Sequence, residues 1–202
     1  MISIFLKTPL LGILTAILAV VLEQLLAVAA GAFWQKEIVF SFYSQLNYFI
    51  VAAVIIEECL KYLAIRYPLR KIFAIRGLRL AIGSFLTGFF FGITEIWLIV
   101  MSDKNYLVSL RSHDTETLFS FSAIVLLQAL TAFLTGSLIA IRSSDSRGSA
   151  LKILFFPVLV HVLFNFLVIQ KGDFTKWLEI ITLALTFLLG SLILIFNFRK
   201  LD

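Results

Sequence analysis

Apolar residues in this chain arrive in six long runs separated by short polar stretches, and this pattern predicts an all-helical membrane protein. The runs cover residues 9–33, 40–65, 80–101, 118–141, 151–169 and 178–198. Each is close to the roughly 20 residues that a helix needs to cross the hydrocarbon core of a bilayer. The first run is longer than the apolar core of a removable signal peptide and is read as a spanning helix. Pro9 fits a first helical turn, and Pro68 fits a stop after the second helix. With no repeat or linker in view, residues 1–202 read as one integral-membrane domain, a bundle of about six helices.

The polar positions that interrupt these runs carry the chemistry. At the end of the second run stands Ile55-Ile56-Glu57-Glu58-Cys59-Leu60-Lys61. A charged side chain at membrane depth costs at least ~2.5–3.5 kcal/mol, so adjacent carboxylates require a polar interior. On a helix Glu57 and Glu58 point about 100° apart, so at least one faces inward. Lys61 lies one turn on and is able to pair with either. A glutamate between burial and an ammonium is suited to act as a general base, whereas the structural alternative is a salt bridge with Lys61 snorkelling to the interface.

The third run holds Phe91-Gly92-Ile93-Thr94-Glu95, with Ser84, Gly88 and Gly92 at i+4 intervals forming a small-residue face for close helix packing. Glu95 is predicted near that face. The fifth run holds His161 and Asn165, four residues apart and on one face, with a predicted kink at Pro157 one turn earlier. An imidazole there is able to bind a metal or stabilise an oxyanion, and Asn165 to orient it or polarise a carbonyl; packing is the plainer role. Gln128 shares a stripe with Ala132, Gly136 and Ala140 and is read as interhelical glue. Glu23 and Gln24 in the first run have no partner spacing and read as structural or pathway-lining.

Composition agrees with the pattern. The 202 residues are 61% hydrophobic and 14% charged, with a mean hydropathy of +1.04. The net charge of +5 does not indicate nucleic acid, because the basic residues flank membrane segments. With the N-terminus inside, twelve Lys and Arg fall on the inner side, Lys61 among them, and five on the outer side. Both termini are therefore expected in the cytoplasm. The basic 67–79 stretch reads as a loop that sets topology or meets anionic headgroups. The polar 104–117 stretch reads as an outer loop, which places His113 in water and away from any site. Cys59 is the only cysteine, which excludes an internal disulfide.

Glu57-Glu58-x-x-Lys61, Phe91-x-x-x-Glu95 and His161-x-x-x-Asn165, in this order on successive runs, resemble the motif set of PrsW-type intramembrane proteases. These are similar to the wider clan of CAAX-processing and bacteriocin-processing (CPBP) membrane proteases. The resemblance covers residues 50 to 170 and implies cleavage of a membrane-anchored protein or peptide by glutamate-activated water, in a prokaryotic cytoplasmic membrane. It implies Glu57 or Glu58 as base, Glu95 and His161 completing the site, and Asn165 assisting the oxyanion, with Lys61, Phe91 and Gln128 in support. It leaves open a divalent metal held among Glu57, Glu58, Glu95 and His161. Gln128 departs from the pattern, standing where relatives often carry His; an amide is neither a base nor a good metal ligand.

Other protease classes lack their residues here: no HExxH helix, no Asp within the predicted spans, no GxSxG turn. Two non-protease readings remain. One is a membrane scaffold or receptor that keeps the fold without catalysis. The other is a proton- or cation-coupled transporter, which the absence of an inverted repeat disfavours.

Overall fold

The computed structural model describes residues 2–34, 48–102, 114–141, 147–170 and 172–197. All elements among them are helical: α1 (Ile2–Trp34), α2 (Tyr48–Ala64) continued by a π-helical segment (Ile65–Ile72), α3 (Gly77–Ser102), α4 (Thr115–Ile141), α5 (Arg147–Gln170) and α6 (Asp173–Phe196). Every helix except α2 is long and apolar enough to cross a membrane. The chain is thus an all-α bundle with the character of a multi-pass integral membrane protein.

Helix α4 is the axis of the bundle. Nearly every residue from Phe121 to Ile139 is buried on it, on all faces, as expected of a helix enclosed by others. Helix α3 packs along it most extensively, with α5, α6 and α2 around the rest, while α1 lies against α3 and α2. The α3–α4 contact is close because it is built from small residues. A Cβ at Gly88 would lie 2.3 Å from the Gln128 carbonyl oxygen and 2.5 Å from Ala132 Cβ. Each of these residues belongs to one of the stripes predicted from spacing. Packing at one end is completed by Ile65, Leu69, Leu80, Leu134, Leu138 and Ile139, and around the middle by Leu127, Leu130, Phe164 and Leu183. The outer surface carries Leu10, Leu14, Leu25, Leu163, Leu185 and Leu188 exposed, an apolar belt suited to lipid rather than water.

Several boundaries differ from the sequence reading. Pro9 lies inside α1 rather than in its first turn, since the helix begins at Ile2. Proline's fixed φ is helical, so an interior position loses one backbone hydrogen bond without ending the helix. Pro68 does not stop the second helix either. The helix widens to π winding through it, and the Phe73 N–H donates to the Pro68 carbonyl across five residues at 2.8 Å. The predicted 67–79 loop therefore shrinks to residues 73–76, including Ala74 at φ 52°. Thr115 to Thr117, assigned to the outer loop, form the first turn of α4. The rest of that loop, His113 included, and the first residues of the predicted second span lie outside the described residues. Helix α5 runs continuously through Pro157.

Candidate active site

The motif residues meet at one level of the bundle. Glu57 is the tenth residue from the Tyr48 end of α2, Glu95 the eighth from the Ser102 end of α3, and His161 the tenth from the Gln170 end of α5. Because α2 starts at Tyr48, the carboxylates on α2 and α3 fall at similar depth. Both Glu57 and Glu58 are buried, at 6% and 0% exposure, so both face inward.

Lys61 lies at the centre of the cluster and is fully buried. Its Nζ donates to Glu58 Oε1 at 2.5 Å, Gln128 Oε1 at 2.5 Å and Thr131 Oγ1 at 2.9 Å. Three donors meet three acceptors, which is the full capacity of an ammonium. The ammonium also lies 5.3 Å from the centre of the Phe91 ring, within cation–π range. That gives the phenylalanine of the second motif an electrostatic contact as well as a packing role. Lys61 therefore neither lies in an inner loop nor snorkels. Without it the inner side still holds eleven basic residues against five, so the expected orientation is unaffected.

Gln128 joins this cation to the other carboxylates. Its Oε1 accepts from Lys61, and its Nε2 donates to Glu57 Oε2 and Glu95 Oε2, each at 2.7 Å. An amide offers one acceptor and two donors, and all are used. On the far side, His161 Nδ1 lies 2.7 Å from Glu58 Oε1. A carboxylate only accepts, so Nδ1 carries the hydrogen and a neutral ring presents Nε2 as a lone pair. That Nε2 is 3.9 Å from Glu57 Oε2.

The two glutamates of the first motif thus have different surroundings. Glu58 is enclosed by Lys61 and His161. Glu57 lines a cavity of about 200 Å³, together with Glu95, Phe91 and Asn165. The remaining walls are mostly apolar, contributed by α1 to α5, with Ala19, Ala53 and Ile124 among them. Glu58, Lys61, Gln128 and His161 do not line it; they hold its polar floor from behind. No group of three or more His, Cys, Asp or Glu among the described residues is arranged to hold a metal ion. Lys61 and Gln128 hydrogen-bond to one oxygen each of Glu58, Glu57 and Glu95.

Two participants escaped the sequence reading as members of this cluster. Thr131 stands one turn after Gln128 on the same face of α4, and that spacing was the signal available for it. Glu23 of α1 lines the cavity with Glu57 and Glu95. Gln24 also reaches the cavity wall. Comparisons with protein-family models, with curated proteins and with solved structures find no match to this chain.

Proposed function

We propose that this protein is an intramembrane protease that hydrolyses a peptide bond of a membrane-anchored protein or peptide with glutamate-activated water, in a prokaryotic cytoplasmic membrane and with both termini on the cytoplasmic side. The observation that carries the proposal is the shared cavity. Glu57 and Glu95, from two separate motifs, face the same largely apolar space while Gln128 fixes both. An apolar recess ending in oriented carboxylates suits an extended hydrophobic peptide whose scissile carbonyl reaches the floor.

In this reading Glu57, rather than Glu58, is the base. It takes a proton from a water as the water oxygen attacks the carbonyl carbon. Glu95, held by the same amide, is placed to position that water. Asn165, on the cavity wall, donates to the developing oxyanion. His161 has its ring fixed by Glu58, and its Nε2 is near enough to Glu57 for one water to contact both. The Glu58–Lys61 pair supplies a fixed countercharge behind the reacting groups.

The test is cleavage of membrane-anchored substrates by the purified protein in lipid, with wild type beside Glu57→Gln, Glu95→Gln and His161→Ala, each with and without chelator. Cleavage lost in Glu57→Gln, with the fold retained, is the expected result. Cleavage that survives all three substitutions excludes this site, and loss on chelation would return a metal to the mechanism. A non-catalytic scaffold has one observation in its favour, the complete use of Gln128 and Lys61 within the cluster. It predicts that wild type cleaves nothing and that Glu57→Gln leaves partner binding intact.

A further inference from the structure

Glu23 belongs to none of the three motifs, yet it lines the same cavity. It is the twelfth residue from the Trp34 end of α1, at the level of Glu57 and Glu95. Glu57 and Glu95 line that cavity with it. Glu23 Oε1 is buried with no hydrogen-bond partner. Three carboxyl groups around one largely apolar cavity repel one another when ionised, which favours a proton on one of them. Glu57 and Glu95 each accept an N–H of the Gln128 amide, whereas Glu23 Oε1 has no donor. The acid among the three is therefore Glu23.

The charged and titratable groups around Glu23 are few. Helix α1 packs against α2 and α3, which present Glu57 and Glu95 to the same cavity. Across the cavity α5 presents the uncharged Asn165 and α4 presents Ile124. Lys61, Glu58 and His161 lie behind the cavity floor. No described cation lines the cavity to neutralise a third carboxylate there.

We propose that Glu23 is the general acid of the site, sharing one proton with Glu57 and delivering it to the leaving nitrogen. This rests on the protease reading, and the proton balance closes. Water gives a proton to Glu57 as its oxygen bonds to the carbonyl carbon. The tetrahedral intermediate then collapses, the C–N bond breaks, and the nitrogen takes the proton of Glu23, leaving a carboxylic acid and an amine. The proton on Glu57 then passes to Glu23 within the cavity and restores the starting state. Such like-charged pairs exchange protons as a unit.

The experiment has a spectroscopic arm and a kinetic arm, both on the full chain in lipid. In the first, the infrared carbonyl band of a protonated carboxylic acid is followed in wild type, Glu23→Gln and Glu57→Gln. Its loss in Glu23→Gln and its shift in Glu57→Gln are expected, and a band unchanged in both overturns the shared proton. That arm needs no substrate, so it decides the pairing even if wild type cleaves nothing and the protease reading fails. In the second, Glu23→Gln is expected to lower the cleavage rate ~10²–10⁴-fold, the range for loss of a positioned acid. It should also flatten the alkaline limb of the rate–pH profile and leave the acid limb. Glu23→Asp, which keeps a proton on a shorter arm, should regain part of the rate and the alkaline limb. A uniformly lower profile of unchanged shape in both variants would make Glu23 a packing residue and overturn its role as acid.

Discussion

Lys61 Nζ lies 2.5 Å from Glu58 Oε1, and neither side chain is exposed to solvent. Removing one partner from such a pair leaves a buried charge without compensation, at a cost of about 3–5 kcal/mol. Lys61→Met is therefore expected to lower the thermal stability of the protein in detergent markedly. Adding Glu58→Gln to Lys61→Met removes the stranded charge and should recover part of the loss. If the double variant is no more stable than the single one, the stabilising role assigned to the pair is wrong.

Gln128 is the only described residue that hydrogen-bonds to Lys61, Glu57 and Glu95 together. Gln128→Leu keeps roughly the same volume but strips one acceptor from the ammonium and one donor from each carboxylate. Leaving buried groups unsatisfied costs about 1–3 kcal/mol each, so a drop in stability and at least tenfold slower cleavage are expected. Gln128→Glu should be worse, because it sets a further carboxyl against Glu57 and Glu95. Activity in Gln128→Glu equal to that of wild type would show that the amide does not orient the pair.

The α3–α4 contact gives a purely structural prediction. A Cβ at Gly88 would fall 2.3 Å from the Gln128 carbonyl oxygen, a backbone atom that cannot swing aside. Gly88→Ala should therefore force the helices apart and destabilise by about 1–3 kcal/mol, the usual scale of overpacking. It should also slow cleavage, since Gln128 moves with α4. A melting temperature equal to wild type would mean that the contact is looser than described.

How much of this was legible beforehand follows from the range of each interaction. The Ser84–Gly88–Gly92 face and the Gln128–Ala132–Gly136 stripe could be read because four-residue spacing is local, and the two do meet. The pairing of Lys61 with Glu58 is equally local. Its burial is not, because it depends on Gln128 and Thr131, some 70 residues away; counted from sequence, Lys61 looked like a charge of the inner loop. Pro68 misled for a different reason. Proline signals the end of α winding, but hydrophobic periodicity does not reveal whether the chain then turns or widens into a π-helix. Glu23 was unreadable because α1 carries no spacing signal, and its relevance comes only from the helices that α1 packs against.

The first turn of α4 provides a pH dependence away from the membrane-embedded groups. The Asp114 carboxyl accepts the Thr117 hydroxyl at 2.6 Å and the Glu116 N–H at 3.2 Å. The Thr117 hydrogen bond first, then the backbone donor, hold its pKa below the ordinary aspartate value. A carboxyl lowered on folding stabilises the cap above its unfolded pKa, near ~3.9, and loses that contribution as pH falls through its folded value. The Glu116–Leu118 amides should thus be protected from hydrogen exchange near neutral pH, with protection falling only under acidic conditions, below about pH 4. Asp114→Asn, which keeps the capping geometry without the charge, should remove this acid dependence while retaining part of the protection. Protection that rises on acidification, or that stays flat in wild type, would contradict the cap.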